Sequence, residues 1–272
     1  MSKIFITDLD HTFLRNDLSI SEFSKEIWNK MAQEHTMSIA TARTLKKSQQ
    51  FLEGFTINAP MILLDGSLIV GTDGKVIDKK TLNKEIANEI IDYSAIFGLE
   101  PFILAYEKEK EVFLYPKNGN KFQQDLLPRY INDDNIILQE EVSANEENFK
   151  ISYMADKDIL SIFQQELQSM FGDEISTILA PEAYMGCYYL TILHTDANKS
   201  SGLKTISEYL GVNLNDVSVF GDNFNDLGMF ELAGTSIAVA NAQDSVKEQA
   251  NIVLEHTNDE DAVAKYLQGL SR

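Results

Sequence analysis

The sequence lacks the features of several protein classes. Only one of its 272 residues is a cysteine, Cys187, so no disulfide can form within the chain, as expected for the reducing cytoplasm. We expect Cys187 to pack as a small apolar side chain rather than to act as a nucleophile. No window of about 18 apolar residues is present, which argues against a transmembrane helix. The apolar run at the N-terminus is short and stops at Asp8, unlike a signal peptide.

Basic residues are also scarce. The chain has 23 Lys and Arg against 42 Asp and Glu, so its formal net charge is −19. This charge repels nucleic acids and anionic membranes, and we expect neither as a partner. An anionic substrate could bind only where the local charge is reversed. With 44% hydrophobic and 24% charged residues, the chain is otherwise typical of a globular protein.

The order of the apolar segments predicts an α/β fold with a doubly wound, Rossmann-like parallel sheet. Residues 3–7, 37–41 and 61–64 are short and apolar, as buried parallel strands are. Residues 44–54 are helical in composition, and a capping-box pattern that starts at Ser19 opens an earlier helix. The alternation of strand, helix, strand, helix and strand with short connections indicates this architecture.

A middle section departs from the alternation and is typical of an insertion. Its strand-like and helical segments are residues 82–97, 101–106, 111–115, 149–154, 158–171, 175–180 and 187–193. Residues 117–148 are polar and irregular apart from a short helical piece. Because the parallel pattern then resumes, we predict a core domain of residues 1–80 and 190–272 and an inserted α+β domain of residues 81–189.

Two aspartates follow the first strand directly. Asp8 and Asp10 are two residues apart, so both leave the strand end in the same direction. Ligands bind at this edge of an open parallel sheet. The alternative is a pair of turn or capping aspartates, which are common after strands.

A second acidic segment, Gly221–Asp226, follows the strand-like residues 217–220. By itself it could be a polar loop that caps the next helix. If its strand lies beside the first one, however, Asp8, Asp10 and Asp222 converge. Three clustered carboxylates repel one another unless a cation lies between them, and hard oxygen ligands suit Mg²⁺.

Two further segments could bind an anion. Residues 38–43 lead from a strand into a helix, where the Thr41 hydroxyl and the backbone N–H groups of the turn would form an anion site. Lys199 stands at the start of a predicted helix, where its charge opposes the helix dipole and disfavours the helix. An exposed, solvated lysine is the alternative at this position.

Together these segments resemble the four motifs of the haloacid dehalogenase-like (HAD) phosphatases, specifically the Cof-like class IIB group with a large inserted cap. The matching segments, in motif order, are Asp8-Leu9-Asp10-His11-Thr12, Thr41-Ala42-Arg43, Lys199, and Gly221-Asp222 with Asn225-Asp226. His11 and Ala42 stand where the family more often has glycine. We expect His11 to be tolerated and the backbone at Ala42 to be compatible with alanine.

The resemblance implies a phosphatase that hydrolyses small phosphorylated metabolites, most often sugar phosphates, through an aspartyl-phosphate. Asp8 would be the nucleophile, and Asp10 would be the general acid and then the general base. The cofactor would be Mg²⁺, held by the Asp8 side chain, the Asp10 backbone carbonyl and Asp222. Asp226 would orient these ligands.

The resemblance also implies how the phosphoryl group is bound. Thr41, the Ala42 backbone N–H, Lys199 and Asn225 would bind its oxygens. Arg43 would either assist them or support the loop. The inserted domain would cover the site as a cap. Four residues near its end would either face the pocket or pack inside the cap: Tyr184, Met185, Tyr188 and Tyr189.

Two other functions are compatible with parts of this pattern. A phosphomutase of the same superfamily shares the first and fourth motifs, although we find no arginine-rich cap segment of that branch. A non-catalytic metabolite sensor could keep the fold, but the joint presence of Asp8, Asp10, Lys199 and Asp222 argues against it. We therefore expect a small-molecule phosphate ester as the partner, and the sequence indicates no oligomeric state.

Overall fold

The structure is a computed structural model and describes residues 3–182 and 185–270. The chain divides into two compact units, which we call the core unit (residues up to Lys79 and from Ala197 onward) and the inserted unit (Lys80–Asp196). The strands are β1 Ile4–Thr7, β2 Thr36–Ile39, β3 Met61–Leu63, β4 Leu68–Val70, β5 Val76–Lys79, β6 Leu82–Asn83, β7 Phe102–Glu107, β8 Lys110–Pro116, β9 Ile136–Gln139, β10 Glu147–Ala155, β11 Ile175–Glu182, β12 Cys187–His194, β13 Val217–Gly221, β14 Thr235–Ala238 and β15 Ile252–Val253. The α-helices are α1 Glu22–Met31, α2 Leu45–Phe51, α3 Lys84–Ser94, α4 Lys121–Leu126, α5 Lys157–Phe171, α6 Lys199–Leu210, α7 Leu227–Leu232, α8 Asp244–Lys247 and α9 Ala262–Leu270. Among the described residues, no helix has the length and apolar content needed to cross a membrane.

The core unit contains a five-stranded parallel sheet with the order β15-β14-β13-β1-β2. A parallel bridge between Ala40 and Ile62 places the start of the β3-β4-β5 antiparallel sheet beside the end of β2. Every residue of β1 and β13 is buried, as expected for central strands covered on both faces. The predicted doubly wound parallel sheet is confirmed.

The register of β1 brings the two acidic segments to one edge. Thr7, the last residue of β1, pairs with Phe220 of β13 on one side and with Ile39 of β2 on the other. The Asp8 backbone N–H donates to the Phe220 carbonyl at 3.0 Å. Residues that follow β1, β2 and β13 therefore emerge at the same carboxyl edge, where ligands of open α/β sheets bind.

Helix α1 begins at a different residue from the one that the capping-box pattern indicates. Ser21, not Ser19, is the N-cap, and its side chain accepts a hydrogen bond from the Ser24 N–H at 3.0 Å. A tertiary contact explains this choice of N-cap. Asp261 accepts hydrogen bonds from the hydroxyls of Ser21 (2.8 Å) and Ser24 (3.1 Å) and also forms a salt bridge with Arg15. A partner about 240 residues away thus selects the cap.

The inserted unit is built on a mixed sheet with the order β11-β12-β10-β7-β8-β9, in which β6 also pairs with β10. Helices α3 and α5 pack on it, for example through Phe163 of α5, whose ring lies 5.1 Å from that of Tyr153 on β10. Strand β9 lies in the segment predicted to be irregular. Its short apolar run is surrounded by acidic residues, and only its parallel pairing with β8 makes it a strand.

Cys187 lies in the inserted unit and is 2% exposed. It packs with Phe102, Tyr115, Leu126 and Met154. Burial raises the pKa of its thiol, which disfavours the thiolate that a nucleophile needs. The predicted packing role of Cys187 is confirmed.

Candidate active site

Lys199 is the first residue of α6, after the N-cap Asn198, and is fully buried. Its Nζ lies 2.6 Å from Asp8 Oδ1 and 2.7 Å from Asp226 Oδ1. Burial alone would lower the pKa of Lys199, but the carboxylates of Asp8, Asp226 and Asp65 hold it above its ordinary value. The solvated-lysine alternative is therefore wrong, and Lys199 is an ammonium ion held between two motif aspartates.

Asp226 is the most completely bonded carboxylate of the site. Besides the Lys199 contact through Oδ1, its Oδ2 accepts hydrogen bonds from the backbone N–H groups of Asp222 (3.0 Å) and Asn223 (3.2 Å). The approach is so close that a Cβ on Gly221 would lie 2.5 Å from the Asp226 carboxylate carbon. Glycine at position 221 is thus what allows this carboxylate to reach the loop.

Asp8, Asp222 and Asp226 form a buried acidic cluster. One oxygen from each lies within 4.8 Å of the others. Burial raises the pKa of Asp222 to about 6, although the 2.9 Å hydrogen bond from the Thr12 hydroxyl opposes the rise. Burial also raises the pKa of Asp8 well above its ordinary value, despite the Lys199 charge. Three carboxylates against one ammonium leave negative charge that a cation would neutralise.

The hydrogen bonds distinguish the three carboxylates. Both oxygens of Asp226 are engaged by protein donors. In the part of the chain that the structure describes, Asp8 and Asp222 each accept a hydrogen bond through Oδ1 only. Asp8 and Asp222 therefore have an oxygen left to bind a metal, whereas Asp226 orients Lys199 and the loop that carries Asp222.

Asp10 lies outside this cluster as far as its side chain is concerned. Arg43 donates to both of its carboxylate oxygens, from Nε to Oδ2 at 2.7 Å and from Nη2 to Oδ1 at 2.5 Å. The Arg43 guanidinium also lies 4.5 Å from the centre of the Phe51 ring. Arg43 therefore holds the carboxylate of Asp10, and the two roles expected for Arg43, assistance in phosphoryl binding and support of the loop, stay predictions.

The second-motif turn is fixed by backbone hydrogen bonds. Thr41 is fully buried, and its N–H donates to the Ile62 carbonyl at 2.9 Å. Its hydroxyl oxygen accepts from the Arg43 N–H at 3.2 Å. Ala42 is exposed and is not among the described residues with positive φ, so the expectation that its backbone suits alanine is confirmed. His11, by contrast, has a φ of 57°, a left-handed conformation that costs a non-glycine residue about 1 kcal/mol or more.

Sequence reasoning missed Asp65. Its Oδ1 accepts a hydrogen bond from Asn225 Nδ2 at 2.9 Å, so it contacts a predicted phosphate-binding residue. The sequence around it, Asp65-Gly66, indicated only a turn. The sequence could have indicated Asp65 as a site residue through its position just after the third strand. The carboxyl end of that strand lies at the sheet edge that also carries Asp8 and Thr41.

The candidate pocket residues of the inserted unit divide between two packed clusters. Tyr184 lies outside the described residues. Met185 and Tyr189 pack against the cluster that contains Cys187. Tyr188 packs against the larger apolar cluster, with the Lys157 ammonium 5.7 Å from its ring centre. The packing alternative therefore describes these three residues.

Known proteins resemble this chain over nearly its full length. Residues 5–267 match the family model of the haloacid dehalogenase-like hydrolases. A 5-amino-6-(5-phospho-D-ribitylamino)uracil phosphatase of Bacillus subtilis is 25% identical over 267 residues, 96% of this chain and 94% of the relative. The crystal structure of TM0651 from Thermotoga maritima superposes with a TM-score of 0.83 at 25% identity, covering 100% of this chain and 98% of that one. The HAD subclass IIB sugar phosphatase BT4131 has a TM-score of 0.74 at 19% identity and covers 99% of both chains.

The chain combines a parallel α/β sheet, which has an acidic cluster at its carboxyl edge, with a large inserted α+β unit. The chain belongs to the haloacid dehalogenase-like hydrolases. It is a phosphatase of that family. The family and the enzyme class predicted from the four motifs are confirmed.

Proposed function

We propose that the chain is a Mg²⁺-dependent phosphatase that hydrolyses small phosphorylated metabolites through a phosphorylated Asp8. The observation that carries this proposal is the setting of Asp8. Its carboxylate is buried, is held at 2.6 Å by the Lys199 ammonium, and lies in one acidic cluster with Asp222. Such a carboxylate is fixed in position and needs no neighbouring base to act as a nucleophile.

The residues present fit Mg²⁺. The ion would be held by the free oxygen of Asp8, the free oxygen of Asp222 and the backbone carbonyl of Asp10, with water in the other positions. When bound, it would neutralise the charge of the cluster and of the phosphoryl group. A cation beside Asp8 and Asp222 would also favour their ionised forms, which burial alone disfavours.

The two aspartates of the first motif would divide the chemistry. An oxygen of Asp8 attacks phosphorus, the ester P–O bond breaks, and Asp10 gives a proton to the departing alkoxide. Asp10 then takes a proton from water, the water oxygen attacks phosphorus, and the bond between phosphorus and Asp8 breaks. Free phosphate and the alcohol are the products, and both carboxyl groups return to their starting states.

The remaining site residues would position the phosphoryl group. Its oxygens would be bound by the Thr41 hydroxyl, the Ala42 backbone N–H, the Lys199 ammonium and the Asn225 carboxamide. These groups supply the positioning and the charge stabilisation on which phosphoryl transfer depends. Together with Mg²⁺ they would offset the negative charge of the acidic cluster, which is what an anionic substrate requires in a chain of net charge −19.

The names of two relatives support a substrate class. One is named for a phosphorylated ribityl compound and another is described as a sugar phosphatase. We therefore favour a phosphate ester of a sugar or a related polyol for this chain. The inserted unit would act as the cap that covers the site, and the cytoplasm, where such metabolites occur, would be its location.

Phosphate release from a panel of sugar, polyol and nucleotide phosphates, measured with Mg²⁺ and with EDTA, tests the proposal. We expect release from at least one sugar or polyol phosphate with Mg²⁺ and none with EDTA. Asp8→Asn should abolish turnover, whereas Asp73→Asn, which removes an exposed carboxylate paired with Lys75, should leave it unchanged.

Three outcomes would contradict the proposal. Full activity in EDTA would exclude the metal, and retained activity of Asp8→Asn would exclude the nucleophile. Transfer of phosphate within a substrate without release of free phosphate would indicate a phosphomutase instead.

A further inference from the structure

The loop after β3 has a conformation that the sequence alone would avoid. Leu64 and Asp65 have φ values of 50° and 56°, and Gly66 follows with 96°. The left-handed conformation costs roughly 1–2 kcal/mol at Leu64, and less at Asp65 because aspartate and asparagine tolerate it better than other residues. Such backbone strain persists only where the surroundings enforce it, and it concentrates at functional sites.

Three contacts enforce this loop. The Leu64 N–H donates to the Arg43 carbonyl at 3.1 Å, and the Asp65 N–H donates to the Thr41 carbonyl at 3.0 Å. A Cβ on Gly66 would lie 2.0 Å from the carbonyl oxygen of Asn198, the N-cap of α6. The loop is thus fixed between the second-motif turn and the helix end that presents the third-motif lysine.

The Asp65 side chain reaches the fourth motif. Its Oδ1 accepts from Asn225 Nδ2 at 2.9 Å. Asp65 is half-buried, and its charge acts on Lys199. A carboxylate near two groups that bind an anion repels that anion, so Asp65 lowers phosphate affinity unless it has a compensating effect.

We propose that Asp65 is a positioning residue of this phosphatase site, one that fixes the Asn225 carboxamide for the phosphoryl group. The inference rests on the proposed function of Asn225. A carboxylate only accepts hydrogen bonds, so it selects the NH₂ end of the carboxamide and excludes the flipped orientation. One N–H of Asn225 is then engaged, and the second N–H remains for a phosphoryl oxygen. Asn225 is exposed, so without this contact its side chain would sample several rotamers.

Because Asp65 has a left-handed backbone conformation, which glycine adopts freely, its side chain can be removed without straining the loop. Asp65→Gly removes the carboxylate and relieves the strain, so its thermal stability should equal or exceed that of the wild type. If Asp65 only shapes the loop, this variant should also keep full activity. Positioning predicts instead that kcat/KM falls about tenfold and that vanadate, a phosphate analogue, binds several-fold more weakly. Asp65→Asn retains an acceptor in a residue that tolerates this conformation, so it should recover part of the activity.

A double-mutant cycle isolates the contact. In an Asn225→Ala background, Asp65→Gly should cause no further loss of kcat/KM, because the group it positions is gone. Full activity of Asp65→Gly, or an equal loss in both backgrounds, would overturn the proposal. If Asp65→Gly fails to fold, the same cycle is run with Asp65→Asn. A loss of kcat/KM that occurs only when Asn225 is present would support the proposal. No loss, or an equal loss with Asn225 and with Asn225→Ala, would overturn it. These failures differ from failure of the proposed function, which would appear as wild-type protein without Mg²⁺-dependent phosphate release.

Discussion

Arg43 donates hydrogen bonds to both carboxylate oxygens of Asp10, at 2.7 and 2.5 Å, while its guanidinium lies over the ring of Phe51. The predicted general acid is therefore held in one orientation by an arginine of the second motif. Because both oxygens of Asp10 are engaged, one must leave Arg43 before it can reach a leaving group. If Asp10 is the general acid, Arg43 both orients it and restrains it.

Substitution of Arg43 by lysine tests this relationship. A lysine ammonium cannot donate two parallel hydrogen bonds to one carboxylate, so Asp10 would lose its fixed orientation. We expect Arg43→Lys to lower kcat about tenfold with little change in KM. Arg15→Lys is the control, because Arg15 also donates to both oxygens of an aspartate, Asp261, although from Nη2 alone. Steady-state kinetics in which both variants resemble the wild type would show that the pairing of Arg43 with Asp10 has no catalytic effect.

Removal of the Lys199 charge should destabilise the core unit. Lys199→Met leaves Asp8 and Asp226 buried without their shared cation, and loss of one partner of a buried ion pair costs about 3–5 kcal/mol. Chemical unfolding in the absence of metal measures this cost. Lys75→Met, which breaks an exposed pair with Asp73, should leave the unfolding free energy nearly unchanged. Equal effects of the two substitutions would contradict the role of Lys199 as a buried counter-ion.

The raised pKa of Asp222 predicts a pH dependence of stability in EDTA. Its pKa is about 6 in the folded protein against an ordinary value of 3.8, so the folded state binds the proton more tightly. This contribution to stability is present below about pH 4 and is lost as the pH rises through about 6. The carboxamide that Asp222→Asn introduces does not titrate, so this variant should gain stability over the wild type as the pH rises, by about 3 kcal/mol between pH 3 and pH 7. Thermal unfolding of both proteins in EDTA between pH 5 and about pH 7.5 measures how their difference in stability changes with pH. A difference that stays constant across this range would contradict the raised pKa of Asp222. Added Mg²⁺ should stabilise the wild type selectively.

Gly221→Ala should destabilise the protein because the new methyl group would collide with Asp226, not because the backbone at position 221 requires glycine. The added methyl group would lie 2.5 Å from the Asp226 carboxylate carbon and would displace a carboxylate that holds both Lys199 and the loop. We expect a loss of about 2–4 kcal/mol in unfolding free energy together with most of the activity. Gly269→Ala on α9 meets no atom within 4 Å and should be neutral or slightly stabilising. An active, stable Gly221→Ala protein would mean that Asp226 can move without consequence.

The sequence predicts the parts of this molecule that local patterns determine. The short apolar segment of β1 indicates a buried strand, and Asp8 directly after it lies at the carboxyl edge because strand order in an α/β sheet places it there. The pairing of Arg43 with Asp10 is not visible in this way. Both residues are recognisable individually, but their contact depends on where two separate turns meet in space.

Three features that sequence analysis missed also depend on contacts between residues that are far apart in the sequence. Asp65 follows a strand, as Asp8 does, but its role depends on a contact with Asn225, which is 160 positions further along the chain. Ser21 rather than Ser19 caps α1 because Asp261 binds it. Strand β9 forms because β8 offers it an edge. In each case a distant partner, which no local window contains, outweighs the local preference.

The position of β1 between β13 and β2 has a consequence for the order in which the molecule can be assembled. The strand that precedes Asp8 is synthesised before the inserted unit, whereas its partner β13 begins at Val217, after the whole of that unit. During synthesis, one edge of β1 therefore remains without its native neighbour until the inserted unit has been made. A fragment that ends before β13 contains Asp8, Asp10, Thr41 and Lys199 but cannot bring Asp222 and Asp226 to them. A growing copy of this protein can therefore become catalytically competent only after β13 and the loop that follows it have been synthesised.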